Sequence, residues 1–409
     1  MLPVCNMTVS KRVRGAKSRA LYDGLIACGT GNRQAEGFEK EPAILHNVSD
    51  VKLIIPPWTW LVPVLAFGAL LIALVAGVGP WLVLLCGVAL AGAVFVAVHH
   101  AEVVAHRLGE PFGTLVLALA VTAIEAALIL TMMMAGGQDM AVLPRDAIYA
   151  AVMIICTGVV GLCLLFGGLA HCEQTFRVEG AGPGFAALIV MAALTLVLPA
   201  FTTSTPIGTY NKPQLLFVAV TSAALWAVFV FVQTVRHRDY FIPEAIASDT
   251  EAHADPPTTG RAWTSFGLLL LSLVTVVGLA KMLSPAIEQA VAAANAPRAV
   301  VGIVIAALVL LPETWAAVRA ARADRLQTSM NLAVGSALAC IGLTVPVVVV
   351  AAITLKLPLV LGLPPKEMAL LALTFIVCAF TLGTGRTYVM QGAVHLVLFV
   401  VYLFLAFVP

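Results

Sequence analysis

Two glutamates lie where acids are costly. Glu125 interrupts the apolar run "ALAVTAIEAALILTMMM" (118–134), and Glu313 lies inside "APRAVVGIVIAALVLLPETWAAV" (296–318). An ionisable side chain at the centre of a membrane-spanning helix costs roughly 2.5–3.5 kcal/mol even on a lenient insertion scale, so each acid is read as functional. A carboxylate withdrawn from water keeps its proton unless a cation takes the proton's place. Competition between proton and cation for one carboxylate is the physical basis of antiport. Two carboxylates together also balance a doubly charged hard ion such as calcium, which takes about six to eight oxygen ligands.

Further oxygens lie nearby in the sequence. Asn331 and Ser336 in the ninth apolar segment and Thr157 in the fourth are candidate cation ligands beside the acids. Pro312, directly before Glu313, removes a backbone donor and so frees a carbonyl four residues upstream. The stripe Gly335, Ala339, Gly342 lets backbones approach closely in lipid. "HHAEVVAH" (99–106) sets Glu102 and His106 at i, i+4 with His99 one turn earlier. That spacing suits a metal, but it falls at the end of a span. His99, Glu102, His106 and Pro312 are therefore assigned to proton access or gating. His395 in the last span reads as a hydrogen-bonded packing residue.

These residues need helices to hold them. The 409-residue chain is 61% hydrophobic and only 11% charged, which excludes a set of soluble domains and predicts an all-α integral membrane protein. Eleven segments approach the roughly 20 apolar residues of a spanning helix. They fall near 58–77, 81–105, 112–135, 146–169, 184–200, 213–235, 264–283, 298–318, 328–353, 366–382 and 389–408. A formal charge of +2 is no footprint of nucleic acid. The eight cysteines include no C-x-x-C pair and read as small packing residues.

The hydrophilic stretch 236–261 divides the chain, with five segments after it and five before it once the first segment is set aside. Aligning the acids exposes a repeat. Each sits in a Val/Leu/Ala helix that begins near a proline, Pro111 or Pro297, and "RDAIYAAVMIICTGVVGL" (145–162) then matches "RLQTSMNLAVGSALACIGL" (325–343). Because five is odd, the two copies thread the membrane in opposite directions, and inverted repeats with midplane sites mark secondary transporters. At 1.5 Å per residue, inversion puts both acids about 20 Å from the starts of their helices, near the midplane. The predicted divisions are a polar, disordered tail at 1–50, a first helix at 51–80, a first repeat at 81–235, a cytoplasmic loop at 236–262 and a second repeat at 263–409.

Connections after even-numbered segments carry Arg107, Arg177, Arg236, Arg238, Arg261, Arg319, Arg322, Arg325 and Arg386, while the opposite ones carry fewer cations. The positive-inside rule makes the Arg-rich side cytoplasmic, with the amino terminus inside and the carboxyl terminus outside. The loop acids Asp239, Glu244, Asp249, Glu251 and Asp255, with His237 and His253, form no D-x-D-x-D-G pattern and read as a solvated linker. "GTGRT" (383–387) reads as a cytoplasmic turn.

Taken together, "AHRLGEPFGTLVLALAVTAIEAALI", "LPETWAAVRAARADRLQTSMNLAVGSALACIGLTVPVV" and "GTGRTYVMQGAVHLVLF" resemble the calcium/cation antiporter superfamily, and within it the ChaA-type cation/proton antiporters of bacteria. The resemblance covers about 50 to 409. It implies a sodium/calcium exchanger-like fold of one extra helix and two inverted five-helix repeats, with Glu125 and Glu313 as the exchange site. It also implies export of calcium, sodium or potassium against protons in the inner membrane, serving alkaline and salt tolerance. The sequence departs from the superfamily at "IICTGVVG", where an asparagine is common, and in its middle loop, whose acids are dispersed rather than dense. The expected partners are the lipid bilayer, small inorganic cations and protons. No cofactor and no nucleic acid are expected, and the proton gradient supplies the energy. A proton-uncoupled channel or uniporter is the alternative within transport. An intramembrane metalloenzyme is the alternative from another class, disfavoured by the lack of H-E-x-x-H and of paired midplane histidines.

Overall fold

The computed structural model describes residues 57–77, 79–109, 112–241, 257–294, 297 and 299–408. The 1–50 tail, Pro111 and the loop residues Glu244, Asp249, Glu251, His253 and Asp255 lie outside them.

Among the described residues, eleven helices are long and apolar enough to cross a membrane. They are α1 (Trp58–Ala76), α2 (Pro80–Leu108), α3 (Phe112–Gly136), α4 (Leu143–His171), α5 (Val178–Ala200), α6 (Lys212–Arg236), α7 (Thr259–Ala293), α8 (Ala299–Arg322), α9 (Leu326–Leu355), α10 (Pro365–Gly383) and α11 (Val389–Phe407). Proline in the first turn of α2, α4, α6 and α10 forfeits only a donor that has no helical partner there. Asn211 and Gln214 close a reciprocal capping box on α6. Gly109, at φ 68°, ends α2 in a conformation that other residues adopt at a cost.

Several boundaries and one connection differ from the sequence reading, α5 among them, which begins at Val178 rather than 184. α7 runs from Thr259 to Ala293, not 264–283, because Thr258 Oγ1 accepts from the Arg261 N–H and starts the helix early. "GTGRT" does more than turn the chain. Arg386–Tyr388 (β2) pairs antiparallel with Glu173–Thr175 (β1), Gln174 facing Thr387, and Gly385 at φ 66° makes the bend. The strip is too short for hydrophobic periodicity to reveal it.

The packing separates two cores. α1, α2 and α7 share one with faces of α3 and α8, while α4, α5, α6, α9, α10 and α11 build the other with the opposite face of α8. The helices that carry the acids are thus the seam, α3 meeting the larger core through α4 and α9. Partners are exchanged reciprocally across it: α4 packs on α8 and α11, whereas α9 packs on α3 and α6. Two glycines at matching Gly-Leu pairs make the close approaches. A Cβ on Gly161 would meet Leu396 at 2.9 Å, and one on Gly342 would collide with Trp226. Gly335, expected in the same stripe, faces open space instead.

The Arg-rich connections share one face. Arg107 donates to Thr259 Oγ1 (2.9 Å), Arg177 to the Asp239 carbonyl (2.8 Å) and Gln174 to Asp324 (2.8 Å). At the other face the segments following α3, α5 and α9 interlock. The Val360 N–H reaches the Ala141 carbonyl, and those of Leu361 and Gly362 share the Gly208 carbonyl.

Candidate functional site

Both acids hang from one face of α9. Ser336, Cys340 and Thr344 recur every four residues, which aligns them along the helix. Ser336 Oγ donates to Glu313 Oε2. Cys340 Sγ donates to Glu125 Oε1 at 2.8 Å, and Thr344 Oγ1 donates to Glu125 Oε2 at 3.1 Å. Glu313 lies near enough for its charge to act on Glu125. Glu125 lies 13 residues into α3 and Glu313 14 residues into α8, so each is about 20 Å along its helix.

Their surroundings differ. Glu125 is 5% exposed, with both oxygens held by α9. Glu313 is half-buried and lines a small cavity with Ile155, Val159, Ala333 and Ser336. The helix around Pro312 is unbroken. Position 312 has no N–H to donate, which leaves the Leu308 carbonyl without its helical partner.

Other expected ligands are placed elsewhere. Thr157 is buried in a π-helical turn, Ile154–Val159, at the middle of α4, and its hydroxyl bonds the Met153 carbonyl of its own helix. Asn331 does not reach the acids. Its Nδ2 donates to the Phe241 carbonyl (2.6 Å) and its Oδ1 accepts from Gln327 (2.8 Å), tying α9 to the end of α6.

The histidine stretch also divides. Glu102 is exposed and near enough for its charge to act on Glu313 and Arg319. His99 packs on Trp58 with ring centroids 5.2 Å apart, and His106 is exposed on the last turn of α2. Among the described residues no group of three His, Cys, Asp or Glu side chains could hold a metal ion.

His395 is fully buried between α4 and α10. Its Nδ1 lies 2.7 Å from the Cys156 carbonyl and its Nε2 3.0 Å from Thr381 Oγ1. A carbonyl only accepts, so Nδ1 carries a proton, while Nε2 pairs with the Thr381 hydroxyl. His395 thus clamps the π-turn of α4 to its neighbours, the hydrogen-bonded packing role expected from the sequence. A π-turn inside a helix is rare and is frequent at functional sites.

Cys340 and Thr344 were not singled out by sequence. The available signal was the spacing: stepping by four from Ser336 along α9 finds both. The groups that meet there are two carboxylates, two hydroxyls and one thiol. A set dominated by oxygen suits a hard cation and can hold protons in its place.

A family model described as "Sodium/calcium exchanger protein" matches residues 78–235 and 264–408. The protein y4hA of Sinorhizobium fredii is 45% identical over 360 residues, covering 87% of this chain and 97% of its own length. The sodium-potassium/proton antiporter ChaA of Escherichia coli is 36% identical over 327 residues, covering 79% of this chain and 88% of its own. Among solved structures, an H+/Ca2+ exchanger, CAX, superposes with a TM-score of 0.65 at 14% identity, covering 85% of this chain and 87% of its own. That likeness establishes the fold.

Proposed function

The chain belongs to the sodium/calcium exchanger family, whose members are membrane antiporters and not enzymes, and from that premise we propose that it exchanges a cytoplasmic cation for protons at Glu125 and Glu313. One observation carries this reading. Two carboxylates at matching depths meet across the seam of the two cores, and side chains one turn apart on a single helix serve both.

Calcium and sodium are the proposed cargoes, with potassium third. Two carboxylates with hydroxyl oxygens match a hard ion, and the ChaA relative is a sodium-potassium/proton antiporter while CAX is an H+/Ca2+ exchanger. The cycle follows from charge. Glu125 and Glu313 give up protons as the cation enters, and they take protons from the other side after it leaves. Alternating access requires the seam to open to one face at a time. The layer of α1, α2 and α7 is the body placed to shift against the rest. Glu102 and Arg319 line the approach to Glu313 from the Arg-rich face, which we take as cytoplasmic by the positive-inside rule. The setting is the bacterial cytoplasmic membrane, and the proton gradient drives the cycle.

The test uses everted vesicles carrying the protein, acidified inside and monitored with a pH dye. Added calcium, sodium or potassium should raise the interior pH only for the transported ion. Cation flux with no proton movement would support a channel or uniporter instead.

A further inference from the structure

The row of donors on α9 contains one atom of a different kind. Ser336 and Thr344 present hydroxyl oxygens, while Cys340, between them, presents sulfur directly to Glu125 at 2.8 Å. The thiol is free and 4% exposed, one helical turn from each hydroxyl. It is therefore part of the wall that touches the carboxylate, together with Thr344 on the other carboxylate oxygen. Oxygen donors select hard ions, whereas a thiol selects soft ones. Ordinary packing would be served by alanine or valine. Selectivity for hard ions alone would be served by serine or threonine, which would continue the row.

We propose that Cys340 is a specificity-determining residue, giving the exchange site a mixed sulfur and oxygen donor set that captures soft divalent cations of the cadmium class. This rests on Glu125 being a cation site. A cadmium ion would bind Sγ, the Glu125 carboxylate and Thr344 Oγ1, and the thiol proton is released as the metal–sulfur bond forms. Sulfur holds the soft ion more tightly than oxygen holds the cargo, so the ion blocks exchange instead of passing through.

Two readouts test this on the full-length chain. In vesicles, the cadmium concentration that halves cation/proton exchange, measured relative to each protein's own uninhibited rate, should rise at least ~10-fold in Cys340→Ser, equivalent to about 1.4 kcal/mol. Cys86→Ser should keep wild-type sensitivity, since Cys86 lies 16 residues before Glu102 on α2. With purified protein, titrated cadmium should produce ultraviolet cadmium–thiolate absorbance that is larger in wild type than in Cys340→Ser and is displaced by excess cargo ion. Cys340→Thr repeats both measurements should the serine variant fold poorly. Equal cadmium sensitivity in wild type and both variants, or no difference in absorbance, overturns the assignment. Absence of exchange in the wild type would instead count against the antiport reading, and the absorbance difference would still decide whether Cys340 binds the metal.

Discussion

Glu125 and Glu313 occupy matching places on α3 and α8, yet one is closed in and the other is only half-buried. Glu125 is 5% exposed and tied at both oxygens by Cys340 and Thr344. Glu313 holds a single hydroxyl, from Ser336, and borders a small cavity. Both acids lean on α9 while Thr157, on the repeat-related α4, bonds its own backbone. A pseudosymmetric frame therefore carries an asymmetric site. Under the proposed exchange, Glu313 would be the carboxylate that meets ions and protons first, and Glu125 the inner one.

Removing either charge should have the largest effect. Glu125→Gln and Glu313→Gln should each lower the initial exchange rate at least ~100-fold, because a buried cation loses a charged partner at a cost of about 3 kcal/mol or more. Shortening the side chain probes the asymmetry. Glu125→Asp withdraws the carboxylate from two donors, Glu313→Asp from one, so the first should be the slower transporter in the same vesicles. The reverse order would mean that the closed and open roles are misassigned.

Acidification should come next in size. Protons and cation compete for the same groups, so the cation concentration for half-maximal exchange should rise as pH falls and drop as pH rises. A half-saturation value indifferent to pH would separate the two binding events. The hydroxyls should matter less. Thr344→Val and Ser336→Ala each delete one hydrogen bond to a carboxylate, worth about 1.5 kcal/mol, and should raise the half-saturating concentration roughly tenfold at most.

The smallest effect on exchange is expected at Asn331. Its bonds to Gln327 and Phe241 belong to the α9–α6 contact. Asn331→Ala should lower the thermal midpoint of the detergent-solubilised protein while leaving half-saturation within about twofold, since two part-buried hydrogen bonds of about 1 kcal/mol each are at stake away from the acids. A large change in cation affinity would return Asn331 to the site.

What the sequence made legible follows from what lipid demands. Every spanning segment must be apolar for about 20 residues, so all eleven helices were visible, and the two acids deep within them stood out. Ser336 was legible through its place beside the repeat-matched acid. Cys340 was passed over because a cysteine in an apolar span looks like any small packing residue, and only the rotation of α9 against α3 reveals its neighbour. Thr157 and Asn331 run the other way, because their side chains have partners other than the acids. Their chemistry suited a ligand, but hydroxyls often bond the preceding turn, and an amide near a helix end can bind a loop carbonyl. The strip of β1 and β2 was illegible because three-residue strands from distant connections carry no periodicity.

The most direct test of proton–cation competition is to count protons on binding. Purified protein in weakly buffered detergent solution would be mixed with the cargo ion identified in vesicles, with a pH indicator present and binding followed in parallel by calorimetry. Competition at the two carboxylates predicts that cation binding releases protons in proportion to occupancy, and that Glu125→Gln together with Glu313→Gln abolishes both heat and release. Saturable binding with no proton released, or release that survives in the double variant, would contradict it.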